Sequence, residues 1–251
     1  KRSKAGAVLT SEGEQFTSYA LSLLKIWEEA RQQIAIPEGY SRSFSFGAQH
    51  ALWHKLGFRW IDAMQAMMPE LSIHAEMGMS DRLTRFLVEG VIHAALLYTP
   101  QLRPGLRVEP VLEEELILVA SFETDVKDLG KEYVAVDWGP EFTHMHASAL
   151  PHLTNSGRSL ALGGLAADYI VNRRAAAYLP AREVQRYLDV GKLHVVANSP
   201  RFAYPAWVVW REDLDPEMLS IARRSLMDLA QAAENQQNIL IESLDNGQNT
   251  P

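Results

Sequence analysis

Three histidines, His144, His146 and His152, are the residues of this chain whose type and spacing most suggest metal chemistry. Imidazole is a common zinc ligand, and a His-x-His pair can place two rings on one side of a strand. On a helix, the same two rings point about 200° apart. No carboxylate stands at a diagnostic spacing, since Asp137 and Glu141 are ordinary in this respect. The pattern therefore predicts no metal site.

Catalytic motifs are missing from the sequence. It has no Gly-x-Ser-x-Gly elbow, no His-Glu-x-x-His pair and no Gly-x-Gly-x-x-Gly turn. It also has no cysteine, which excludes a disulfide frame, a thiolate metal site and a cysteine nucleophile. The pair Gly163-Gly164 is only a weak phosphate-binding signal. We therefore expect no enzyme and no cofactor, with a small α/β enzyme as the alternative.

The turn at residues 47–53 carries the side chains best suited to hold a small polar ligand. It follows a predicted strand and opens a predicted helix. In two-lobed α/β folds, ligands lie in the crevice at such strand ends, where helix N-termini offer free N–H groups. Gln49 and His50 can hydrogen-bond a ligand there, and Trp53 can form a wall. The alternative is that His50 caps the helix in solvent.

Hydrophobic periodicity predicts an α/β fold made of two similar halves. Strands are predicted over 42–46, 71–75, 91–98, 106–112, 115–120, 133–137, 159–162, 175–179, 193–197 and 205–210. Helices are predicted from 51 to Pro69, over 80–89, from about Glu141, over 165–172, from Pro180 to Leu188 and from Pro216 onwards. Because the run 91–98 is almost continuously apolar, as in buried parallel strands, the first half should contain a covered parallel sheet.

Residues 10–36 form a predicted amphipathic helix with the seam of a coiled coil. Apolar residues recur along it at spacings of four and three for more than two heptads; they are Phe16, Ala20, Leu23, Trp27, Ala30 and Ile34. Thr10 or Ser11 can cap the first turn, Glu14 stands at capping-box spacing from Ser11, and Pro37 ends the helix. We predict that the seam joins two copies of the chain. The alternative is an N-terminal helix packed on its own domain.

The charge of the chain argues against DNA binding by these residues alone. Its 251 residues carry 24 Lys+Arg and 31 Asp+Glu, a formal net charge of −7, whereas surfaces that bind DNA are basic. No apolar run is long enough to cross a bilayer, and no signal peptide is visible. We expect a cytoplasmic protein that has no membrane partner; the alternative is one whose signal peptide has been removed.

The start of the chain resembles the end of the wing and the linker helix of a LysR-type transcriptional regulator. Arg2, the motif Leu9-Thr10-x-x-Gly13 and the helix motif Trp27-Glu-Glu-Ala-Arg31 carry this resemblance. Four later phrases follow in the order and spacing of the family's effector domain: Pro69-Glu-Leu-Ser-Ile, Leu87-Val-Glu-Gly-Val-Ile-His, Tyr178-Leu-Pro and Trp207-Val-Val-Trp-Arg-Glu-Asp. The chain departs from the family at His93, where an Asp is usual, and at Asn172-Arg-Arg-Ala-Ala-Ala, which replaces a Gly-rich turn.

The resemblance implies a linker helix followed by a two-lobed, periplasmic-binding-protein-like effector domain. In this plan, residues 1–9 are the remnant of a DNA-binding wing, 10–36 are the linker helix and 41–251 are the effector domain. Lobe I takes residues 41–121 and 205–235, and lobe II takes 131–200. The family's winged helix-turn-helix is then expected to be absent from this chain, and promoter DNA would be bound through it.

The resemblance also implies a small-molecule effector, of unidentified structure, and a homodimer or homotetramer. The turns expected to line its crevice contribute Gln49, His50, Leu52, Trp53, Met79, Ser80, Tyr98, Thr99, Trp138, Phe142, Leu162, Gly163 and Tyr204. The alternative for Trp138 and Phe142 is that they plug the crevice. The alternative for the whole chain is a solute-binding protein of a transport system, which has the same two-lobed core but needs no linker helix.

Overall fold

The computed structural model describes residues 2–3 and 6–248, with side chains described from 8 to 235. The predicted wing remnant 1–9 lies partly outside these residues, and its described part is an antiparallel pair of short strands, β1 Arg2–Ser3 and β2 Gly6–Ala7. The helix predicted over 10–36 is present as α1, Ser11–Ile34. Thr10 is its cap, because Gly13 N donates to Thr10 Oγ1 at 3.1 Å.

A five-stranded sheet forms the first lobe. Its strands are β3 Arg42–Ala48, β4 Leu71–Met77, β5 Ala94–Leu97, β6 Leu106–Leu112 and, from much later in the chain, β13 Ala206–Arg211. They lie in the order β4-β3-β5-β13-β6. β3 pairs parallel with β4 and β5, whereas β13 pairs antiparallel with β5 and β6. The predicted parallel sheet is confirmed for β3, β4 and β5. The returning strand β13 runs the opposite way and lies between β5 and β6, so β6 has the same direction as β5 but does not pair with it.

Helices cover both faces of this sheet. They are α2 His50–Leu52, α3 Phe58–Met67, α4 Ser80–Glu89 and α8 Pro216–Gln248. Trp60 of α3 is fully buried and donates from its indole N–H to Ala222 O of α8 at 3.1 Å. The helix predicted to start at 51 is interrupted by a π turn over Trp53–Gly57. A Cβ on Gly57 would lie 2.6 Å from Trp53 Cε3, so a side chain there would displace the Trp53 ring.

The second lobe is built around β7, Glu115–Ala120. It pairs antiparallel with β10 Ala176–Pro180, β11 His194–Val195 and β12 Phe202–Ala203. The parallel pair β8 Ala135–Val136 and β9 Ser159–Leu160 and the helices α5 Pro140–Ala149, α6 Ala166–Val171 and α7 Ala181–Leu188 complete the lobe. The lobe boundary predicted at 121 assigns β7 to the first lobe, whereas its pairing partners and its buried run 116–120 place it in the second. The first crossing therefore lies at Glu113 and Glu114.

None of the helices within residues 6–248 has the length and apolar character needed to span a membrane. The longest of them, α8, has 33 residues.

Candidate functional site

A cleft of about 180 Å³ opens between the two lobes at the carboxyl ends of β3 and β5. Its walls are formed by Gln49, Met79, Ser80, Asp81, Thr99, Asp137, Trp138, Gly139 and Tyr204. Six of the thirteen residues predicted to bind an effector are in this set, and they come from five separate turns. The cleft is where parallel strands end and where helix α4 begins, as expected for a ligand site in a two-lobed α/β fold.

Gln49 organises the wall contributed by the first lobe. Its Oε1 accepts hydrogen bonds from Tyr98 N at 2.7 Å and from Ser80 Oγ at 3.2 Å. Ser80 Oγ also lies 2.9 Å from Thr99 Oγ1. These contacts fix the orientation of the Gln49 amide and use its oxygen fully. The amide NH₂ is then the group of Gln49 that has hydrogen-bonding capacity left for a ligand.

The wall contributed by the second lobe is fixed by backbone contacts. Trp138 donates from its indole N–H to Tyr178 O at 2.9 Å, and Tyr204 OH donates to Trp138 O at 3.1 Å. Asp137 Oδ1 accepts from Gly139 N at 3.0 Å. Gly139 has φ of +97°, a conformation that favours glycine, just before Pro140 starts α5. These contacts fix the orientation of Trp138 and Tyr204, and one carboxylate oxygen of Asp137 remains for a ligand.

The charges along this cleft are of one sign. Asp81 from the first lobe and Asp137 from the second line it, and no Lys, Arg or His does so among the residues that form its described walls. Both carboxylates are exposed, so solvent screens them in the open cleft. The two carboxylates favour a cation or a hydrogen-bond donor, whereas the first-turn N–H groups of α4, which has no side-chain cap, favour an acceptor.

A buried ion pair that the sequence patterns do not reveal lies beneath the cleft. Arg182 of α7 donates to both carboxylate oxygens of Glu114 at 3.0 Å, and the two side chains are 5% and 1% exposed. Tyr98 OH donates to the same carboxylate at 2.6 Å. Burial, with the negative charge of Glu114, raises the pKa of Tyr98. No sequence signal singles out Glu114, which is the middle one of three consecutive glutamates at 113–115.

His50 and Trp53 do not line this cleft but belong to a second hollow of about 270 Å³. The hollow is lined by His50, Trp53, His54, Phe58, Met77, Asp168, Glu183 and Arg186. Trp53 is buried and donates from its indole N–H to Ala48 O at 3.0 Å. Burial lowers the pKa of His50, whose Nδ1 is buried without a partner among the described residues. A Cβ on Gly164 would lie 2.9 Å from that nitrogen, so lobe II presses directly on the first turn of α2.

Five further predicted site residues line neither the cleft nor the hollow. Four lie elsewhere in the fold, and the fifth, Tyr98, lies beneath the cleft. Leu52 is fully buried in the core. Phe142 packs edge-on against Tyr178, with ring centroids 5.5 Å apart, inside lobe II. Leu162 is 48% exposed and Gly163 forms a turn at φ of +54°. Tyr98 is buried beneath the cleft rather than in its wall.

The three histidines considered for metal binding are not gathered together. His146 is buried, stacks on Tyr133 and has its Nε2 2.9 Å from Tyr133 OH. Burial lowers its pKa. His152 donates from Nε2 to Val126 O at 3.2 Å, and His144 is exposed. Over the part of the chain that the structure describes, no three His, Asp or Glu side chains are placed to hold a metal ion together.

The predicted dimerisation seam of α1 faces solvent in the single chain. Phe16, Leu23, Trp27 and Ile34 are each at least 60% exposed. The face of α1 that packs on lobe I is a different one and includes Leu21, Lys25, Glu28 and Gln32, which are all partly buried.

Comparison with known proteins places the chain in a family. The family model described as "LysR substrate binding domain" matches residues 37–232. The HTH-type transcriptional regulator HdfR of Salmonella schwarzengrund (strain CVM19633) is 26% identical over 216 residues, which cover 82% of this chain and 74% of that protein. These matches favour a transcriptional regulator over a solute-binding protein of a transport system.

Solved structures of regulators share the fold. A full-length OxyR variant from Pseudomonas aeruginosa superimposes with a TM-score of 0.61 at 18% identity, covering 90% of this chain and 81% of that one. The regulatory domain of MexT from the same organism gives a TM-score of 0.62 at 14% identity, covering 76% and 99%. The two-lobed fold is therefore that of LysR regulatory domains. The chain belongs to the LysR-type transcriptional regulators, and residues 37–232 form its LysR substrate-binding domain.

Proposed function

We propose that this chain senses a small-molecule effector in the cleft between its lobes and joins a second copy through α1. The observation that carries the first part is the cleft lined by Gln49, Ser80 and Thr99 from lobe I and by Asp137 and Trp138 from lobe II. A ligand that touches both walls has different affinities for the open and closed arrangements, and only such a difference can shift an equilibrium between them.

The expected effector is small and carries hydrogen-bond donors or a positive charge. The cleft volume of about 180 Å³ is below the usual range of about 300–1,000 Å³ for pockets of drug-sized ligands. The polar groups left for a ligand are the amide NH₂ of Gln49, one carboxylate oxygen each of Asp81 and Asp137, and the first-turn N–H groups of α4. A molecule that carries both an amine or hydroxyl groups and an acceptor matches these groups best.

The test is a thermal-shift screen of small amines, polyols and acids, followed by calorimetry on variants. We expect Gln49→Ala and Asp137→Asn to weaken binding of a verified effector by about 5- to 150-fold, which corresponds to about 1–3 kcal/mol for a lost polar contact. His50→Ala is the matched comparison, because His50 was predicted from the sequence to bind the effector and lies in the second hollow of the structure. If His50→Ala weakened effector binding and the other two substitutions did not, the effector would bind in the second hollow and not in the cleft.

Self-association through α1 is the second part of the proposal. An exposed a/d seam that includes Trp27 is typical of helices that pair with another copy. Sedimentation should show at least a dimer for the parent chain and a shift to monomer for Trp27→Asp. Ser22→Asp introduces the same charge on an exposed position outside the seam and should leave the dimer intact. A monomeric parent chain would contradict the proposal.

We also propose that promoter DNA is bound by a winged helix-turn-helix, which is not among residues 1–251. The protein would then act in the cytoplasm, where promoters are. The net charge of −7 supports the absence of DNA binding by these residues themselves. A mobility-shift assay should detect specific binding only when that module is fused to the chain. Specific retention of DNA by residues 1–251 alone would contradict this.

A further inference from the structure

The linker helix α1 is held against lobe I by a buried arginine. The side chain of Arg211 is 2% exposed and lies at the end of β13. It donates from Nη2 to Glu29 Oε1 of α1 at 3.0 Å, and from Nη1 to Gly90 O at 3.1 Å. Asp213 accepts from its Nε at 2.7 Å and from its Nη2 at 2.9 Å. The guanidinium therefore joins the linker helix, the end of α4 and the end of β13 at one point.

Two further contacts of α1 surround this arginine. Lys25 Nζ lies 3.3 Å from Asp213 Oδ2. Gln32 donates from its amide nitrogen to Gly90 O at 3.2 Å and to Val91 O at 3.0 Å. Gly90 ends α4 at φ of +83°, and a Cβ on it would lie 3.2 Å from Lys25 Cα. The two helices thus approach backbone to backbone, which positions α1 more tightly than exposed ion pairs alone would do.

The docked face of α1 is the one that a coiled coil leaves free. With Ala20, Trp27 and Ile34 as a positions and Phe16, Leu23 and Ala30 as d positions, Lys25 and Gln32 are f positions and Glu29 is a c position. The seam and the docked face therefore lie on opposite sides of the helix. Two linker helices could therefore pair through the seam while each of them keeps its contacts with lobe I of its own chain.

We propose that the linker helix and lobe I form one rigid arm, clamped by Arg211, so that effector binding moves lobe II and not lobe I relative to the linker helix. The statement about lobe II rests on the proposed effector cleft, whereas the rigid arm does not. Strand β13 connects the two ends of this arm, because it starts two residues after Tyr204 of the cleft and ends at Arg211. It lies between β5 and β6 in the sheet, where neighbouring strands hold it on both sides.

The experiment measures the distance between α1 and lobe I by pulsed electron paramagnetic resonance. The chain has no cysteine, so spin labels attach only at introduced positions, Ser18→Cys on α1 and Gln65→Cys on α3, which are both exposed. The labelled chain is mixed with an excess of unlabelled chain so that distances within one chain dominate. The measurement needs no effector. A negative result would therefore count against the rigid arm and would leave the proposed effector cleft untouched.

The parent chain should give one narrow distance distribution. The triple variant Lys25→Ala/Glu29→Ala/Gln32→Ala removes the polar side-chain contacts of the helix with lobe I and leaves Arg211 and Asp213 paired. Lobe I should therefore stay folded while the distance distribution becomes at least about twice as wide. Glu14→Ala removes an exposed carboxylate from the first turn of the same helix and should leave the distribution narrow. A broad distribution for the parent, or an equally narrow one for the triple variant, would overturn the proposal. Circular dichroism on each variant checks that it is folded.

Discussion

The rings of Tyr98 and Tyr204 stack with their centroids 4.3 Å apart, next to the point where the chain crosses between the lobes. Glu114 joins the two residues, since its carboxylate accepts from Tyr98 OH at 2.6 Å and its backbone oxygen accepts from Tyr204 N at 2.6 Å. The two chain segments that connect the lobes, one at Glu114 and the other at Tyr204, thus contact each other directly beneath the cleft. Any change of lobe orientation has to be accommodated around this cluster.

The ion pair below these rings should dominate the stability of the region. Arg182→Met leaves the carboxylate of Glu114 buried without its main partner, and we expect a loss of about 3–5 kcal/mol in the free energy of unfolding. The double variant Glu114→Gln/Arg182→Met removes both charges and keeps an acceptor for Tyr98 OH, so it should be more stable than Arg182→Met alone. Urea denaturation at pH 7 measures both. A double variant as unstable as the single one would show that the charge is not the cause.

The carboxyl group of Glu183 should make stability fall as the pH rises. Burial raises its pKa from 4.5 to about 7, with Arg186 acting in the opposite direction. A folded-state pKa above the unfolded one means that the folded chain binds the proton more tightly, so the stabilisation is complete below pH 4.5 and is lost as the pH passes 7. Glu183→Gln should remove this decline, whose slope is at most about 1.4 kcal/mol per pH unit. Urea midpoints for parent and variant between about pH 4.5 and 8 test this, and parallel curves would contradict it.

His93 should have the opposite dependence on pH. Burial, and then the charge of Arg211, lowers its pKa from 6.5 to about 4. Its Nδ1 accepts from Ser45 N at 2.9 Å, which requires the neutral ring. The stabilisation is therefore complete above pH 6.5 and is lost as the pH falls through 4. His93→Gln should be less stable than the parent at pH 7, and the difference should shrink at pH 4. A difference that stays constant over this range would show that His93 is not the titrating group.

The order of strands and helices could be predicted because each element has its own periodicity and stop signal. Pro37, Pro69 and Gly90 end their helices where the sequence places these ends. The assignment of β7 could not be predicted in the same way. Its residues 116–120 are apolar throughout and fit the interior of either sheet, and only the antiparallel pairing with β10 decides between them. Pairing between distant segments leaves no local signal in the sequence.

The candidate site was predictable as a set of turns and not as a set of side chains. The turns after β3, β5 and β8 do meet, which follows from the topology. Within the first turn, however, the side chain of Gln49 points to the cleft and that of His50 to the second hollow, and neighbouring residues of a helix start diverge in this way by about 100°. The pair Glu114 and Arg182 could not be predicted because its members are 68 residues apart and meet only in the fold.

The contact between Gly164 and the first turn of α2 should be sensitive to a single methyl group. A Cβ at this position would lie 2.9 Å from His50 Nδ1, 3.0 Å from Ala51 Cβ and 3.1 Å from Ala51 Cα. Since the backbone of α2 has to shift to make room, we expect Gly164→Ala to lower the free energy of unfolding by about 1–3 kcal/mol. Gly157→Ala is the matched control, because nothing lies within 4 Å of a Cβ there.

A double-mutant cycle tells whether this loss comes from the contact between the lobes. His50→Ala removes the atom nearest to the added methyl group and leaves the two Ala51 atoms, so it should restore part of the stability lost in Gly164→Ala. On its own, His50→Ala should cost little, because His50 Nδ1 is buried without a partner among the described residues. Independent effects of the two substitutions would show that the strain does not come from His50 and would leave the two Ala51 atoms of α2 as its source.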